Sequence, residues 1–133
     1  LPALLEDVVS AARRAGVRVG RIEVSSDLKV PMRPDAMRRT FANLLDNARR
    51  HDAHVWLKAY LAGRNVCVLV DDDGPGIKPE RRAQVLRAFE SGRSSGTGLG
   101  LTIARDIARA HGGELTLEDS PFGGLRVRVI LPL

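Results

Sequence analysis

Aromatic residues, cysteines and long apolar runs are all scarce in this chain. Aromatic side chains make up 4% of the 133 residues, so the core must be built from Leu, Val, Ile and Ala. No run approaches the roughly 18 apolar residues that a membrane-spanning helix needs, which argues against direct membrane contact. The single cysteine, Cys67, lies in the apolar segment NVCVLV and is interpreted as a small buried hydrophobe. These scarcities leave an ordinary globular domain.

A lysine-rich tail and a run of interleaved aromatics are also missing, although the net charge is +5. The basic residues are mostly arginines spread along the chain, whereas nucleic-acid binding combines clustered charge with aromatic stacking. We therefore predict a solvated basic surface and no nucleic-acid partner. The length fits one domain, residues 1–133, and the start in mid-pattern without Met leads us to expect a piece of a longer protein.

Hydrophobic periodicity predicts an alternation of helices and strands along the chain. The predicted helices cover residues 3–15, 34–50, 79–89 and 99–111, and the predicted strands cover residues 17–25, 28–32, 53–62, 65–73, 114–119 and 125–132. Strands that are adjacent in sequence mostly pair as hairpins. We therefore expect an α+β fold, a two-layer sandwich whose mixed sheet is covered on one face by about three helices.

The segment NLLDNARRH, within the second predicted helix, carries two separate stripes. The apolar stripe that would face the sheet consists of Met37, Phe41, Leu44, Leu45 and Ala48. Asn43, Asn47 and Arg50 fall together on a second stripe, roughly 120° around the helix. An amide oxygen suits Mg²⁺ and an arginine suits phosphate, so this stripe is a candidate metal and phosphate site. The alternative is a polar stripe that faces solvent.

The segment DDDGPGI follows a strongly apolar predicted strand, so its carboxylates emerge at the end of the sheet. A carboxylate there can accept a hydrogen bond from an exocyclic amine, while Gly74 and Gly76 let a flat ring come close. Calcium binding is disfavoured because the aspartates are consecutive, whereas an EF-hand needs acids at alternate positions. An ordinary solvated turn remains the alternative.

The segment ESGRSSGTGLGLTIARD runs glycines straight into a predicted helix. The first amides of a helix are unsatisfied and carry partial positive charge, which makes them an anion site. The segment lacks the GK[ST] ending of a Walker loop, and the G-x-G-x-G spacing does not match a dinucleotide fingerprint. The small polar residues before the glycines are typical of a lid, from which Arg93 could reach a terminal phosphate.

Taken together, NLLDNARRH, DDDGPGI and SGTGLGLTIARDIARAHGG resemble the ATP-binding catalytic domain of sensor histidine kinases, a branch of the Bergerat-fold ATPases. The match covers essentially the whole chain and is closest to the bacterial osmosensor type. The resemblance implies binding of Mg²⁺ and ATP and transfer of the γ-phosphoryl group to a histidine on a separate dimerisation domain. A response regulator would be an indirect partner. The domain would be cytoplasmic, in a parent protein that is an inner-membrane sensor kinase.

The resemblance also assigns roles to individual positions. Asn47 would coordinate Mg²⁺, Asn43 would support the metal or a phosphate, and Arg50 would contact phosphate. Asp72 would accept the adenine amino hydrogen. The remaining implied ligand positions are His51, Gly74, Gly76, Arg93, Gly96, Thr97, Gly98, Leu99 and Gly100, with Phe89 matching one aromatic of the family's phenylalanine motif.

Some positions depart from the family pattern or leave alternatives open. Leu86 replaces the other aromatic of the phenylalanine motif, and the lid is short. Asp71 and Asp73 are interpreted as solvated neighbours of Asp72. A serine kinase or an ATP-hydrolysing module is disfavoured because the amide of Asn43 cannot act as a general base. A module that binds nucleotide without transferring phosphate is the other alternative, since no phosphoacceptor helical hairpin is recognisable in the sequence.

Overall fold

The computed structural model describes residues 1–25, 28–50, 52–82 and 96–133. At positions 48, 50 and 96–100 the description covers the backbone but not the side chains. The helices are α1 (Pro2–Arg14), α2 (Pro34–Arg50) and α3 (Gly96–Ala110). The strands are β1 (Arg18–Val24), β2 (His54–Ala62), β3 (Asn65–Asp72), β4 (Glu114–Asp119) and β5 (Leu125–Pro132). None of the helices within these residues is both long enough and apolar enough to span a bilayer.

The described strands form one five-stranded mixed sheet in the order β1-β2-β3-β5-β4. The β1–β2 pair is parallel, and the β2–β3, β3–β5 and β4–β5 pairs are antiparallel. Strands β2 and β3 join through a tight turn in which Gly63 has a φ of 63°, a conformation that favours glycine. The predicted α+β sandwich with a mixed sheet and two hairpins is therefore confirmed.

The core lies between the sheet and the helices, because apolar side chains alternate along the strands and form a stripe on each helix. Met37, Phe41, Leu44 and Leu45 of α2 are at most 3% exposed, which confirms the predicted apolar stripe at these positions. Helix α2 packs against both α1 and α3. The face of the sheet that points away from this core is covered by none of the described helices, and we call it the open face.

Two predicted elements differ from the structure. Residues 28–32 form no strand, because Pro31 has no N–H for a ladder and Leu28 is instead anchored in the core at 2% exposure. Helix α3 begins at Gly96 rather than Leu99, so Gly96, Gly98 and Gly100 lie within its first five residues. The prediction began the helix too late because glycine is a weak helix former. The predicted helix 79–89 is helical over 79–82, and its remainder lies outside the described residues.

Candidate functional site

Strand β3 ends in Asp72, whose carboxylate is held by the backbone on two sides. Its Oδ1 atom accepts a hydrogen bond from the Gly74 N–H at 3.0 Å and another from the Leu125 N–H at 2.9 Å. Asp72 is 9% exposed. Its Oδ2 atom receives no hydrogen bond from the part of the chain that the structure describes. One oxygen therefore fixes the carboxylate, and the other is available as an acceptor.

Bare backbone surrounds this carboxylate. Gly76 has a φ of 69°, as expected of a tight turn after the strand. A Cβ atom on Gly124 would lie 2.1 Å from Asp72 Oδ1 and 2.6 Å from the Asp72 carbonyl oxygen. Gly124 was not predicted as a site residue. The only sequence signal for it is the Gly-Gly pair directly before the last strand.

Asp71 contradicts the prediction of a solvated neighbour. Asp71 is 6% exposed. Its carboxylate accepts two hydrogen bonds from Arg126, one from Nε at 2.7 Å and one from Nη2 at 3.0 Å. Successive residues of a strand point to opposite faces, and the sheet register pairs Asp71 with Arg126 on β5. The hydrogen bond to Asp71 raises the pKa of the Arg126 guanidinium. Asp71 is therefore a structural carboxylate on the open face.

Asp73 is more exposed than Asp71 but is also held in place. Its Oδ1 atom accepts a hydrogen bond from the His54 N–H at 2.7 Å, and Oδ2 lies 3.3 Å from His54 Nδ1. About a third of the Asp73 side chain is exposed. Asp73 thus ties the end of β3 to the start of β2. Of the three aspartates, Asp72 is the one with an oxygen that no described residue contacts by a hydrogen bond or an ion pair.

Helix α2 carries the two asparagines of the predicted polar stripe. Asn43 and Asn47 are both half-buried, and Asn43 also lines a groove of about 470 Å³ between α1 and α2. A side-chain amide oxygen is a hard donor, which suits Mg²⁺ completed by phosphate oxygens and waters. Among the described residues no cluster of His, Cys, Asp and Glu could hold a metal ion. The side chain of Arg50 and all of His51 lie outside the described residues.

The first turn of α3 is made by the glycine segment. Gly96, Gly98 and Gly100 are all within the helix, and the first turn carries no acidic side chain. The first four N–H groups of a helix have no partner within it, so they can bind an anion. Nothing is described of the side chains of Thr97 and Leu99. The predicted positions Leu86, Phe89 and Arg93 lie outside the described residues.

His111 links the two helices that carry these candidate ligands. Its Nε2 atom accepts a hydrogen bond from the Arg33 N–H, just before α2, at 3.0 Å. Its Nδ1 atom lies 2.8 Å from the Ile107 carbonyl oxygen of α3. This bridge fixes the start of α2 relative to the end of α3, a link the sequence did not predict.

Three known proteins are similar to this chain in sequence or in structure. The sensor protein kinase CarS of Pseudomonas aeruginosa is 50% identical over 109 residues, which is 80% of this chain and 24% of CarS. The ATP-binding domain of PrrB from Mycobacterium tuberculosis superposes with a TM-score of 0.77 at 28% identity, covering 98% of this chain and 91% of that domain. The histidine kinase domain of the Escherichia coli osmosensor EnvZ superposes with a TM-score of 0.78 at 34% identity, covering 100% of this chain and 86% of that domain.

These similarities extend over most of this chain but over little of the curated relatives. The chain spans about a quarter of the length of the sensor kinases that it matches. A family model describing histidine kinase-, DNA gyrase B- and HSP90-like ATPases matches residues 32–133, which include α2, Asp72 and the glycine turn of α3. The chain therefore belongs to the family of histidine kinase-, DNA gyrase B- and HSP90-like ATPases.

Proposed function

We propose that this domain binds ATP with Mg²⁺ and donates the γ-phosphoryl group to a histidine on a separate dimerisation domain. The observation that carries the proposal is the fixed carboxylate of Asp72, in which backbone N–H groups occupy one oxygen and no residue within the described ranges bonds to the other. Membership of the family and the similarity to named sensor histidine kinases support it. Each part of the nucleotide then has a candidate partner in the described residues.

Asp72 is the candidate for recognition of adenine. Its Oδ2 atom can accept a hydrogen bond from the 6-amino group of the base, which is a donor in adenine and is absent from guanine and hypoxanthine. The bare backbone at Gly74 and Gly76 allows a flat ring to approach. The hydrogen bonds on Oδ1 hold the carboxylate in one orientation before ligand arrives, which lowers the cost of binding.

Helices α2 and α3 are the candidates for the phosphates. Asn47 would hold Mg²⁺ and Asn43 would support it, while the N–H groups of the first turn of α3, at Gly96–Leu99, would bind phosphate oxygens. Gly100 remains a predicted position. When bound, Mg²⁺ neutralises phosphate charge that would otherwise repel an incoming nucleophile. Arg50, His51 and Arg93 remain predicted ligands. Phosphoryl transfer needs mainly positioning and charge neutralisation, and these groups can supply both.

The acceptor is proposed to be an imidazole on another domain. An imidazole nitrogen attacks the γ-phosphorus, the bond to the β–γ bridging oxygen breaks, and ADP leaves while the displaced proton passes to solvent. A neutral imidazole is already nucleophilic, so no strong base is needed on this domain. Both ring nitrogens of His111 are engaged, and His54 pairs with Asp73, which makes neither an attractive acceptor.

The parent protein would be a sensor kinase whose phosphohistidine supplies a response regulator. This follows from the names of CarS and its relatives rather than from residues of this chain. We propose that the domain is cytoplasmic and that a membrane-anchored sensor lies elsewhere in the parent. A nucleotide-binding module without transfer activity is the competing function, since the acceptor histidine is proposed to lie outside this chain.

Transfer of radiolabel separates these two functions. The chain is mixed with [γ-³²P]ATP, Mg²⁺ and the helical dimerisation domain of its own parent protein, and labelled protein is resolved on a gel. We expect acid-labile, base-stable label on that domain, and none when its acceptor histidine is changed to glutamine. ATP binding without any label would leave the binding module as the correct function. Label on serine would replace the histidine kinase with a serine kinase.

A further inference from the structure

We propose that the turn between β4 and β5, residues Ser120–Gly124, is a positioning element for Asp72, anchored by the stacking of Phe122 on Trp56. The inference deepens the proposed function, because it concerns how Asp72 is held for adenine. The turn crosses from the site at the end of β3 to the open face of the sheet. We call it the β4–β5 turn.

The near end of the β4–β5 turn lies directly against the Asp72 carboxylate. The Leu125 N–H, which follows the turn, donates to Asp72 Oδ1 at 2.9 Å. Gly124 lies so close that a Cβ there would be 2.1 Å from the same oxygen and 2.7 Å from the Gly74 nitrogen. Any displacement of the turn therefore changes the orientation of this carboxylate or removes one of its two hydrogen bonds.

The turn is tied internally, so that it behaves as one unit. The Ser120 N–H donates to the Gly124 carbonyl at 2.9 Å, and the Gly123 N–H donates to the Ser120 carbonyl at 3.1 Å. The Phe122 N–H donates to Ser120 Oγ at 3.1 Å. Ser120 is only 8% exposed. A displacement of Phe122 should therefore also displace Gly124, because these hydrogen bonds connect the two residues.

The far end of the turn is anchored on the open face. The rings of Phe122 and Trp56 are stacked, with centroids 3.9 Å apart and planes 20° apart. Phe122 remains 47% exposed, so the ring contact rather than deep burial holds it. Gly20 on β1 makes room for the indole, because a Cβ there would be 2.5 Å from Trp56 Nε1. Trp56 belongs to β2 and therefore offers a rigid platform.

The geometry assigns the stack a measurable effect on nucleotide choice. An aromatic pair contributes about 0.5–1.5 kcal/mol beyond its buried area, which converts to a factor of about 2–10 in affinity. Loss of the stack can weaken adenine binding by at most this factor, because it acts only through the position of Asp72. A ligand without the 6-amino group cannot form the hydrogen bond that adenine donates to this carboxylate, so its affinity should be unaffected.

The test compares ATP with ITP, in which a carbonyl replaces the 6-amino group. Dissociation constants of both nucleotides with Mg²⁺ are measured by calorimetry on the whole chain and on Phe122→Ala. We expect Phe122→Ala to weaken ATP about 2- to 10-fold and to leave ITP unchanged. Phe122→Tyr keeps the ring and should restore the ATP preference. Leu61→Ala is the matched control, since Leu61 is a similarly exposed apolar side chain at 52%.

Fluorescence gives a second readout, because Trp56 is the only tryptophan in the chain. Saturation with ATP should change the Trp56 emission of the unaltered chain, and saturation of Phe122→Ala should change it less. An unchanged ATP-to-ITP ratio in Phe122→Ala would overturn the positioning role, as would an equal loss of both nucleotides. If Asp72→Asn abolishes the ATP preference while Phe122→Ala keeps it, only this inference fails. If the unaltered chain does not prefer ATP, the proposed adenine role of Asp72 fails first.

Discussion

The two faces of the sheet are stabilised by different interactions, although their residues alternate along the same strands. On the covered face, Val66, Val68 and Val70 of β3 are at most 4% exposed and pack in the aliphatic core. On the open face, Arg126 and Arg128 of β5 reach across the strands to pair with Asp71 and Glu118. The covered face is stabilised by burial of aliphatic side chains against the helices, and the open face by hydrogen-bonded ion pairs that flank the buried side chains of Cys67 and Leu69.

The contrast is sharpest at the end of β3, where two consecutive carboxylates point to opposite faces. Asp71 on the open face has both oxygens occupied by Arg126. Asp72 has one oxygen held by backbone N–H groups, and its other oxygen has no hydrogen-bond partner among the described residues. A register change of one residue would exchange these roles, because the side-chain period of a strand is two. Two identical residues thus have different surroundings, and we propose a recognition role for Asp72 alone.

The largest expected effect comes from making the two aspartates neutral one at a time. Asp72→Asn preserves an oxygen for the two N–H groups but places an amide where Oδ2 would accept the adenine amine. We expect ATP affinity to fall about 10- to 100-fold, the worth of a hydrogen bond to a charged group. Asp71→Asn should leave ATP affinity within about twofold, since its effect is on stability. Calorimetric titration with ATP decides, and equal losses in both variants would abolish the distinction between the faces.

The next effect concerns the metal that α2 is proposed to hold. Asn47→Ala removes the amide oxygen and should weaken ATP about 10-fold in Mg²⁺, with little change in EDTA. The matched control is Asn65→Ala, an exposed asparagine at the start of β3 that lies at the opposite end of that strand from Asp72. Affinity is measured with and without the metal. An Asn47→Ala loss of the same size in EDTA would remove the metal role from Asn47.

A smaller effect is expected from filling the space beside Asp72. Gly124→Ala places a methyl group against Oδ1 and should lower the free energy of unfolding by about 1–3 kcal/mol while also weakening ATP binding. Gly63→Ala is the matched control, because a Cβ there also meets nothing within 4 Å and its φ of 63° is similarly strained, but it lies in the β2–β3 turn, at the opposite end of β3 from Asp72. Urea unfolding and ATP titration are run on both. If Gly63→Ala weakens ATP as much as Gly124→Ala, the contact with Asp72 is not the cause.

The smallest effect is the pH dependence of the open face. The hydrogen bond from Arg128 lowers the pKa of Glu118, so the pair stabilises the fold above the ordinary carboxyl pKa of about 4.3 and loses this as pH falls below it. Thermal midpoints at pH 6 and pH 3 should differ less in Arg128→Gln than in the unaltered chain. Some dependence should remain, because the Leu115 N–H and then Arg109 lower the pKa of Glu114. An unchanged difference would show that the pair contributes nothing measurable.

Much of this arrangement could be predicted from local sequence, because it depends on periodicity. The apolar stripe of α2, the run before Asp72 and the Gly63 turn each appear where the pattern placed them. The strand predicted at 28–32 was wrong, since period-2 patterning cannot reveal that Leu28 is a core anchor with no strand to pair.

The remaining differences depend on partners that are distant in sequence. Asp71 looks like a loop carboxylate until β5 places Arg126 beside it, 55 residues along the chain. Gly124 must be a glycine because it lies against Asp72, which is at the end of β3 and distant in sequence. The bridge from His111 to the Arg33 N–H spans 78 residues. Such contacts follow from the topology of the sheet and the packing of the helices, which a single sequence does not specify.

The measurement that tests the central claim most directly is a crystal structure of this chain with Mg²⁺ and a non-hydrolysable ATP analogue. We predict the adenine amino nitrogen within hydrogen-bonding distance of Asp72 Oδ2, while Oδ1 keeps its bonds from Gly74 and Leu125. Asp71 should remain paired with Arg126. An adenine bound away from Asp72, or an Asp72 carboxylate that turns from the nucleotide, would contradict the assignment of recognition to this one carboxylate.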